Sequence, residues 1–167
     1  MTKSQCYAEI NRCRSLIVDY ETKIKVLEGE ITELEASKDK VGGIRSDFSD
    51  CKSVSSSRLD NVGLIQKLNP RIGERFYSGM SGMLNGVLYI TAYSGLGTAI
   101  KTIEHEINNK KSEITKLRNK INDCNNKISQ MKRRIAQIEA QERAEAARRA
   151  AEAAAEAERQ RQAAMNM

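Results

Sequence analysis

The stretch that decides the fold is IKTIEHEINNKKSEITKLRNKINDCNNKISQMKRRIAQI, residues 100–138. Its apolar residues recur with an average period of 3.5, and one polar residue, Lys110, interrupts them. The a positions are Ile100, Ile107, Ile114, Ile121, Ile128 and Ile135, and the d positions are Ile103, Lys110, Leu117, Cys124, Met131 and Ile138. A heptad of this length with a single polar exception is typical of a coiled-coil seam.

A second heptad precedes it, in residues 4–41. Its apolar positions follow an alternating four-three spacing and are Cys6, Ile10, Cys13, Ile17, Tyr20, Ile24, Leu27, Ile31 and Leu34. Gly42-Gly43 is expected to end this helix, because glycine is a poor helix former. Neither seam can be left in water, and pairing the two within one chain buries both. The sequence therefore predicts an all-α fold, an elongated antiparallel helical hairpin resembling a coiled coil. An intermolecular bundle is the alternative.

Lys110 is open to two interpretations. A single polar residue in a seam can fix the register of pairing at some expense of stability. It can also mark the point where the seam opens beyond the end of the first helix. We favour the second interpretation, because the second patterned segment is longer than the first by about ten residues.

These patterns predict one helical hairpin domain, residues 1–138. Its arms are 4–41 and 98–138, and its apex, 42–97, is expected to be irregular with short helices. One short apolar segment of the apex is predicted at Val62, Leu64, Ile65 and Leu68. The remaining segment, 139–167, is rich in Ala, Glu and Arg, and is expected to be a solvent-exposed helix or disordered.

Charge is distributed unevenly along the chain, which carries a net +6. Residues 1–41 hold 7 basic and 8 acidic side chains, whereas 101–138 hold 10 basic and 4 acidic. The simplest interpretation is that the two arms of one hairpin are complementary, and a basic face for an acidic partner is the alternative. No nucleic acid is expected as a partner.

No motif in the sequence indicates catalysis, a metal or a cofactor. His105-Glu106 has Asn109 where a zinc peptidase would need its second histidine, so His105 is expected on the surface. Gly95 and Gly97 lack the third glycine of a dinucleotide loop, and no phosphate-binding loop occurs. The cysteines lie far apart, three of them at seam positions, which favours buried free thiols. A non-enzymatic protein is expected.

The residues from Phe76 to Ile100 contain no charged side chain. Serine, asparagine and five glycines make this window only mildly apolar, so it is a poor membrane span. Small residues recur at Ser78, Gly82 and Gly86, a spacing that lets two helices approach closely. That notch could serve the internal packing of the apex or receive a helix of another protein. The predicted partner-binding residues are Phe76, Tyr77, Gly79, Gly82, Met83, Gly86 and Tyr89.

A long heptad helix, the step Tyr77-Ser78-Gly79 and a second long helix with a glycine-rich start together resemble the YwqH-like proteins. The resemblance covers residues 4–138, with Tyr77 and Gly79 in the place of a W-x-G turn and Tyr replacing Trp. These helical proteins are related in architecture to the WXG family of type VII secretion, and in Gram-positive bacteria they accompany LXG toxins. The resemblance implies an adaptor or targeting chaperone for the helical N-terminal domain of such a toxin, possible second partners being other small helical proteins.

The sequence has no apolar run near residue 1, and we expect a cytoplasmic protein that can be exported without a cleavable signal peptide. It also has no Tyr-x-x-x-Asp/Glu export tag near residue 167, so a partner would supply that signal. Two further hypotheses are a self-assembling coiled-coil structural protein and a protein that inserts the uncharged window into a membrane.

Overall fold

The structure, a computed structural model, describes residues 1–63 and 70–165, which form three α-helices. The helices are α1 (Lys3–Gly63), α2 (Pro70–Asn85) and α3 (Val87–Met165), and no β-strand occurs in the described ranges. The all-α prediction is confirmed. The apolar segment predicted at Val62, Leu64, Ile65 and Leu68 lies outside the residues whose side chains are described.

Two of the helix starts have local explanations in the sequence. The Gln5 backbone N–H donates to the Thr2 hydroxyl oxygen (3.3 Å), and the Thr2 N–H donates to the Gln5 side-chain oxygen (2.8 Å). This reciprocal arrangement is a capping box, which satisfies backbone donors that the first helical turn leaves without partners. Helix α2 begins at Pro70, where proline fits because its missing N–H would have no helical partner.

Residues Met1–Lys23 and Lys116–Met167 form one compact unit. Its buried cluster consists of Cys6, Ile10 and Ile135, with Ile128 and Met131 packed against it. Lys3 forms ion pairs with Glu139 (3.4 Å) and Glu142 (2.9 Å), and Lys120 lies over the Tyr20 ring, 5.7 Å from its centroid. Because early residues of α1 meet late residues of α3, the two segments run in opposite directions in this unit.

Residues Ile24–Thr115 form the second compact unit. Its buried apolar side chains are Ile24, Ile31, Leu59, Ile107 and Ile114. Ion pairs join α1 to α3 at Lys110–Glu30 (2.8 Å), Lys111–Glu35 (3.3 Å) and Lys38–Glu104 (3.8 Å). The segments are antiparallel here as well, and the first two pairs are of the kind that the charge distribution predicts.

The two heptad seams supply most of the buried apolar side chains of the described residues. Every seam residue predicted from the sequence, in α1 and in α3, is buried or half-buried. Cys6, Cys13 and Cys124 are buried free thiols, as predicted, and Cys51, which has no seam position, is exposed. The 3.5-residue period therefore identified the core positions correctly.

The predicted helix end at Gly42-Gly43 is wrong, because α1 continues to Gly63. No glycine in the described ranges has a positive φ, so both glycines adopt ordinary helical backbone. The four-three spacing also continues beyond them, through Lys38, Val41, Arg45, Phe48, Lys52, Ser55 and Leu59, and none of these is exposed. Packing of these side chains outweighs the helix propensity lost at two glycines, about 1 kcal/mol each. Similarly, α3 begins at Val87, earlier than the arm start predicted at residue 98.

We expect Gly42→Ala to stabilise the protein by about 0.5–1 kcal/mol, because alanine favours helix and a Cβ at this position meets nothing within 4 Å. The matched control is Gly86→Ala, whose Cβ would collide with the Gly82 carbonyl oxygen. That variant should be less stable. Urea unfolding followed by far-UV circular dichroism measures both changes, and equal effects of the same sign would contradict the prediction.

Lys110 does not mark an opening of the seam, which was the interpretation we favoured. Its ammonium group lies 2.8 Å from Glu30 and 3.6 Å from Glu106, and only 20% of its side chain is exposed. The hydrogen bond to Glu30 raises the pKa of Lys110, against the opposing effect of burial. Helix α1 extends well beyond Glu30, so the seam is closed on both sides of this pair. The arrangement agrees with the other interpretation, a polar contact that fixes register.

We expect Lys110→Leu to raise the thermal unfolding midpoint by roughly 2–4 °C, because an apolar side chain at a half-buried seam position gains more than a partly exposed ion pair contributes. Lys111→Leu is the control, since Lys111 is 56% exposed beside Glu35 and should give no gain. Thermal unfolding midpoints of both variants check this. A lower midpoint for Lys110→Leu would show that the ion pair itself stabilises the fold.

Candidate interaction surface

Helix α2 has an apolar side that its own chain leaves largely uncovered. None of its residues, Pro70–Asn85, is buried. Met80 and Leu84 are half-buried and mark the side that the protein covers in part. At about 100° per residue, the positions beside them on the helix surface are Ile72, Phe76 and Met83.

Those exposed positions form a line that we name the apolar stripe: Ile72, Phe76, Gly79 and Met83. The stripe has four-three-four spacing, the same period as the two buried seams. Ile72 is 67% exposed, Phe76 52% and Met83 73%. Full burial of such a side chain contributes about 1.5–3 kcal/mol. The stripe therefore has the residue spacing of a coiled-coil seam, but its side chains are exposed to solvent.

The small residues of α2 lie beside this stripe and face open space. A Cβ added at Gly79 or at Gly82 would meet nothing within 4 Å among the described residues, and Ser78 is exposed. The predicted notch at Gly82 therefore takes no part in internal packing within the described part of the chain. What it offers is room for another backbone to approach.

Gly86 has a different role, because it forms the bend between α2 and α3. A Cβ at this position would strike the Gly82 carbonyl oxygen. The Gly86 carbonyl then accepts a hydrogen bond from the Ile90 N–H (3.2 Å), which joins the bend to the first turn of α3. Glycine is required here by the backbone of its own chain, and Gly86 is a poor position at which to test binding.

The first turn of α3 adds further exposed apolar surface. Val87 is 79% exposed, Leu88 87% and Ile90 58%. Together with the stripe, these side chains lie within or next to the charge-free window of the sequence. Exposed apolar residues concentrated in this way are typical of protein interaction sites.

Tyr89 points away from this surface and packs inside the second unit. Its ring stacks on Phe48, with centroids 4.7 Å apart and planes 6° from parallel, and on Tyr93 at 5.9 Å. The Lys52 ammonium lies 4.4 Å from the Tyr89 centroid, and the Arg45 guanidinium lies 4.3 Å from that of Tyr93. Each aromatic pair contributes about 0.5–1.5 kcal/mol beyond the area it buries. We name these five residues the aromatic stack.

Tyr77 and Gly79 do not stand in a turn, contrary to what the resemblance implied. Both lie inside α2, and the bend falls at Gly86. Tyr77 is 37% exposed and lies on the same side of the helix as the half-buried Met80 and Leu84. Without a prolyl or positive-φ residue between Pro70 and Asn85, nothing in the local backbone interrupts the helix at Tyr77.

The structure thus divides the predicted site. Phe76, Gly79 and Met83 share the apolar stripe, with Gly82 on a neighbouring line and Tyr77 on the other side. Gly86 forms the bend and Tyr89 belongs to the aromatic stack. Sequence reasoning missed two exposed residues, Ile72 and Leu88. The i, i+4 spacing of Ile72 to Phe76 was a usable signal, but Ile72 precedes the charge-free window.

The described residues also bear on metal binding and on membrane insertion. His105 is exposed, as expected. In residues 1–63 and 70–165 no three His, Cys, Asp or Glu side chains come together in a way that could hold a metal ion. No helix within the same ranges combines the length and the apolar character that crossing a membrane requires.

Comparison of the chain with known protein families, with curated proteins and with solved structures finds no match.

We expect Tyr89→Ala to destabilise the protein by about 2–4 kcal/mol, because it removes a half-buried ring and leaves Phe48 and Lys52 without their stacking partner. Leu88→Ala, at the neighbouring exposed position, should change stability by less than about 0.5 kcal/mol. Urea denaturation separates the two. Similar losses for both variants would show that Leu88 is covered in solution.

Proposed function

We propose that this protein is a non-enzymatic helical adaptor that binds the helical N-terminal domain of an LXG-type toxin and accompanies it to type VII secretion. The paired segments of α1 and α3 form the scaffold, and the apolar stripe with the first turn of α3 receives a helix of the toxin. The observation that carries the proposal is the exposure of Ile72, Phe76 and Met83 in one line on α2.

The apolar stripe suits a helical partner by its spacing. Residues at four-three-four intervals recur on one side of a helix and can interlock with a second helix that has the same period. Gly79 in the middle of the stripe and Gly82 beside it leave room for close approach. The stripe contains no charged residue, so a bound helix would present apolar side chains to it.

The scaffold in this proposal is an antiparallel coiled coil, joined as a helical hairpin. The burial of every predicted seam residue supports it. The ion pairs Lys3–Glu142 and Lys110–Glu30 support it as well. Each joins α1 to α3 within one unit, where the two segments run in opposite directions. A rigid scaffold of this kind holds the docking surface in place and reduces the entropy lost on binding.

The test is co-expression of the chain with the tagged N-terminal domain of the LXG toxin encoded next to it, followed by purification and titration calorimetry. We expect a stable complex whose affinity falls at least tenfold with Met83→Glu and with Phe76→Glu, because each change buries a charge without a partner, and tenfold corresponds to about 1.4 kcal/mol.

Val26→Glu is the matched control, since Val26 is an apolar residue of similar exposure, 58%, on the outer side of α1. It should bind with unchanged affinity. Wild-type affinity in both stripe variants would exclude the stripe as the docking site. The absence of any LXG gene beside this one, or of any complex, would exclude the toxin partner.

A second candidate function is self-assembly into a coiled-coil structural protein, because an open stripe with heptad spacing can also pair with a second copy. It predicts concentration-dependent oligomers of the chain alone in light scattering, at micromolar concentration, which Met83→Glu would dissociate. A monomer under those conditions would leave the adaptor function as the only one that uses the stripe.

A further inference from the structure

Two buried cysteines of the first unit come from opposite segments of the chain. Cys13 on α1 is 2% exposed and Cys124 on α3 is 8% exposed. Both occupy d positions of their heptads, and both are free thiols in the structure. A second buried thiol on α1, Cys6, lies one heptad earlier.

The contacts on either side bring the segments that carry Cys13 and Cys124 together. On one side, Ile128 packs against the cluster of Cys6, Ile10 and Ile135, and on the other, Lys120 lies over the Tyr20 ring. Cys13 lies between Ile10 and Tyr20 in the first segment, and Cys124 lies between Lys120 and Ile128 in the second. In keeping with this proximity, Cys124 is one of the groups that raise the pKa of Cys13.

Cys6 provides an internal comparison, because it is equally buried but lies in an apolar cluster with Ile10 and Ile135. Packing alone explains Cys6, since a free thiol behaves as a small apolar group. Packing alone would be served equally well by alanine or valine at positions 13 and 124, so it gives no reason for two cysteines there. What two adjacent sulfur atoms add is the capacity to form a covalent bond, for which the side chains must already be close.

We propose that Cys13 and Cys124 are an oxidisable pair, which a low-molecular-weight disulfide such as oxidised glutathione converts into a disulfide that locks the start of α1 to α3. The thiolate of one cysteine attacks the small disulfide, forms a mixed disulfide and releases one small thiol. The second protein thiolate then attacks the mixed disulfide and releases the other. Two protein thiols are oxidised, one small disulfide is reduced to two thiols, and the two protons pass to the released thiolates.

The surroundings of Cys13 determine how readily the pair reacts. Burial raises the pKa of Cys13, as do the neighbouring Cys124 and Glu9, whereas Lys127 on α3 lowers it. Thiolate is therefore scarce at neutral pH. As long as the pH stays below that pKa, the reaction should accelerate about tenfold for each unit by which the pH is raised. Because both sulfur atoms are buried, oxidation also requires a local opening of the first unit. The pair should respond slowly to a small disulfide and hold its bond firmly once formed.

The experiment uses the full chain with Cys51→Ser, which removes the exposed thiol. The folded protein is incubated with oxidised glutathione at about pH 8, where more thiolate is present than at neutral pH. The remaining thiols are then alkylated and counted by intact mass. We expect only one of the three thiols to remain alkylatable, and the intact mass to show no bound glutathione. The thermal midpoint should rise by roughly 5–15 °C and return to its starting value with dithiothreitol.

Three variants in the same background decide the assignment. Cys6→Ala should still form the internal bond, whereas Cys13→Ala and Cys124→Ala should not, and circular dichroism establishes that each is folded. Three alkylatable thiols after incubation, a stable glutathione adduct, or an internal bond that survives Cys124→Ala would each overturn the proposal. The result is independent of the adaptor function, because the pair and the apolar stripe are assayed by different readouts.

Discussion

Covering an apolar line that recurs every 3.5 residues is the constraint on which the rest of this structure depends. α1 and α3 each present such a line, and in each unit the line on one segment is covered by the other. Polar residues that fall on this line remain half-buried. Arg45 and Lys52 lie with their cationic ends against the rings of Tyr93 and Tyr89, so a basic residue can occupy a core position through its aliphatic stem and a ring face.

The core was predictable from the sequence because heptad periodicity depends on residues that are close together in the chain. The seam positions and the three buried cysteines followed from it. The continuation of α1 through Gly42-Gly43 did not. Local propensity favoured an end there, and the stabilising contact, Phe48 against Tyr89, joins residues too far apart in sequence for a local pattern to reveal. The same contact withdrew Tyr89 from the predicted site.

The sequence predicted which residues contain the candidate interaction surface, but not which side of α2 is exposed. Lack of charge marked the window from Phe76 onward, yet it could not say which side of α2 the protein covers. Half-burial of Met80 and Leu84 settles this and leaves Phe76 and Met83 outward. Gly82 and Gly86 looked equivalent in sequence. In the structure one faces open space, whereas the other is required by the bend.

The uncharged character of the window has a consequence for the rate of any association at this surface. Oppositely charged surfaces accelerate encounter, and salt slows that acceleration by screening. A partner that docks on residues 76–100 meets no charge there, so only charges outside the window, such as Arg71 and Arg75, can steer it. Salt should therefore change how fast the partner arrives more than how fast it leaves, because screening acts on those outer charges and not on apolar contacts. The exposed ion pairs between α1 and α3, such as Lys111–Glu35, should weaken as salt rises.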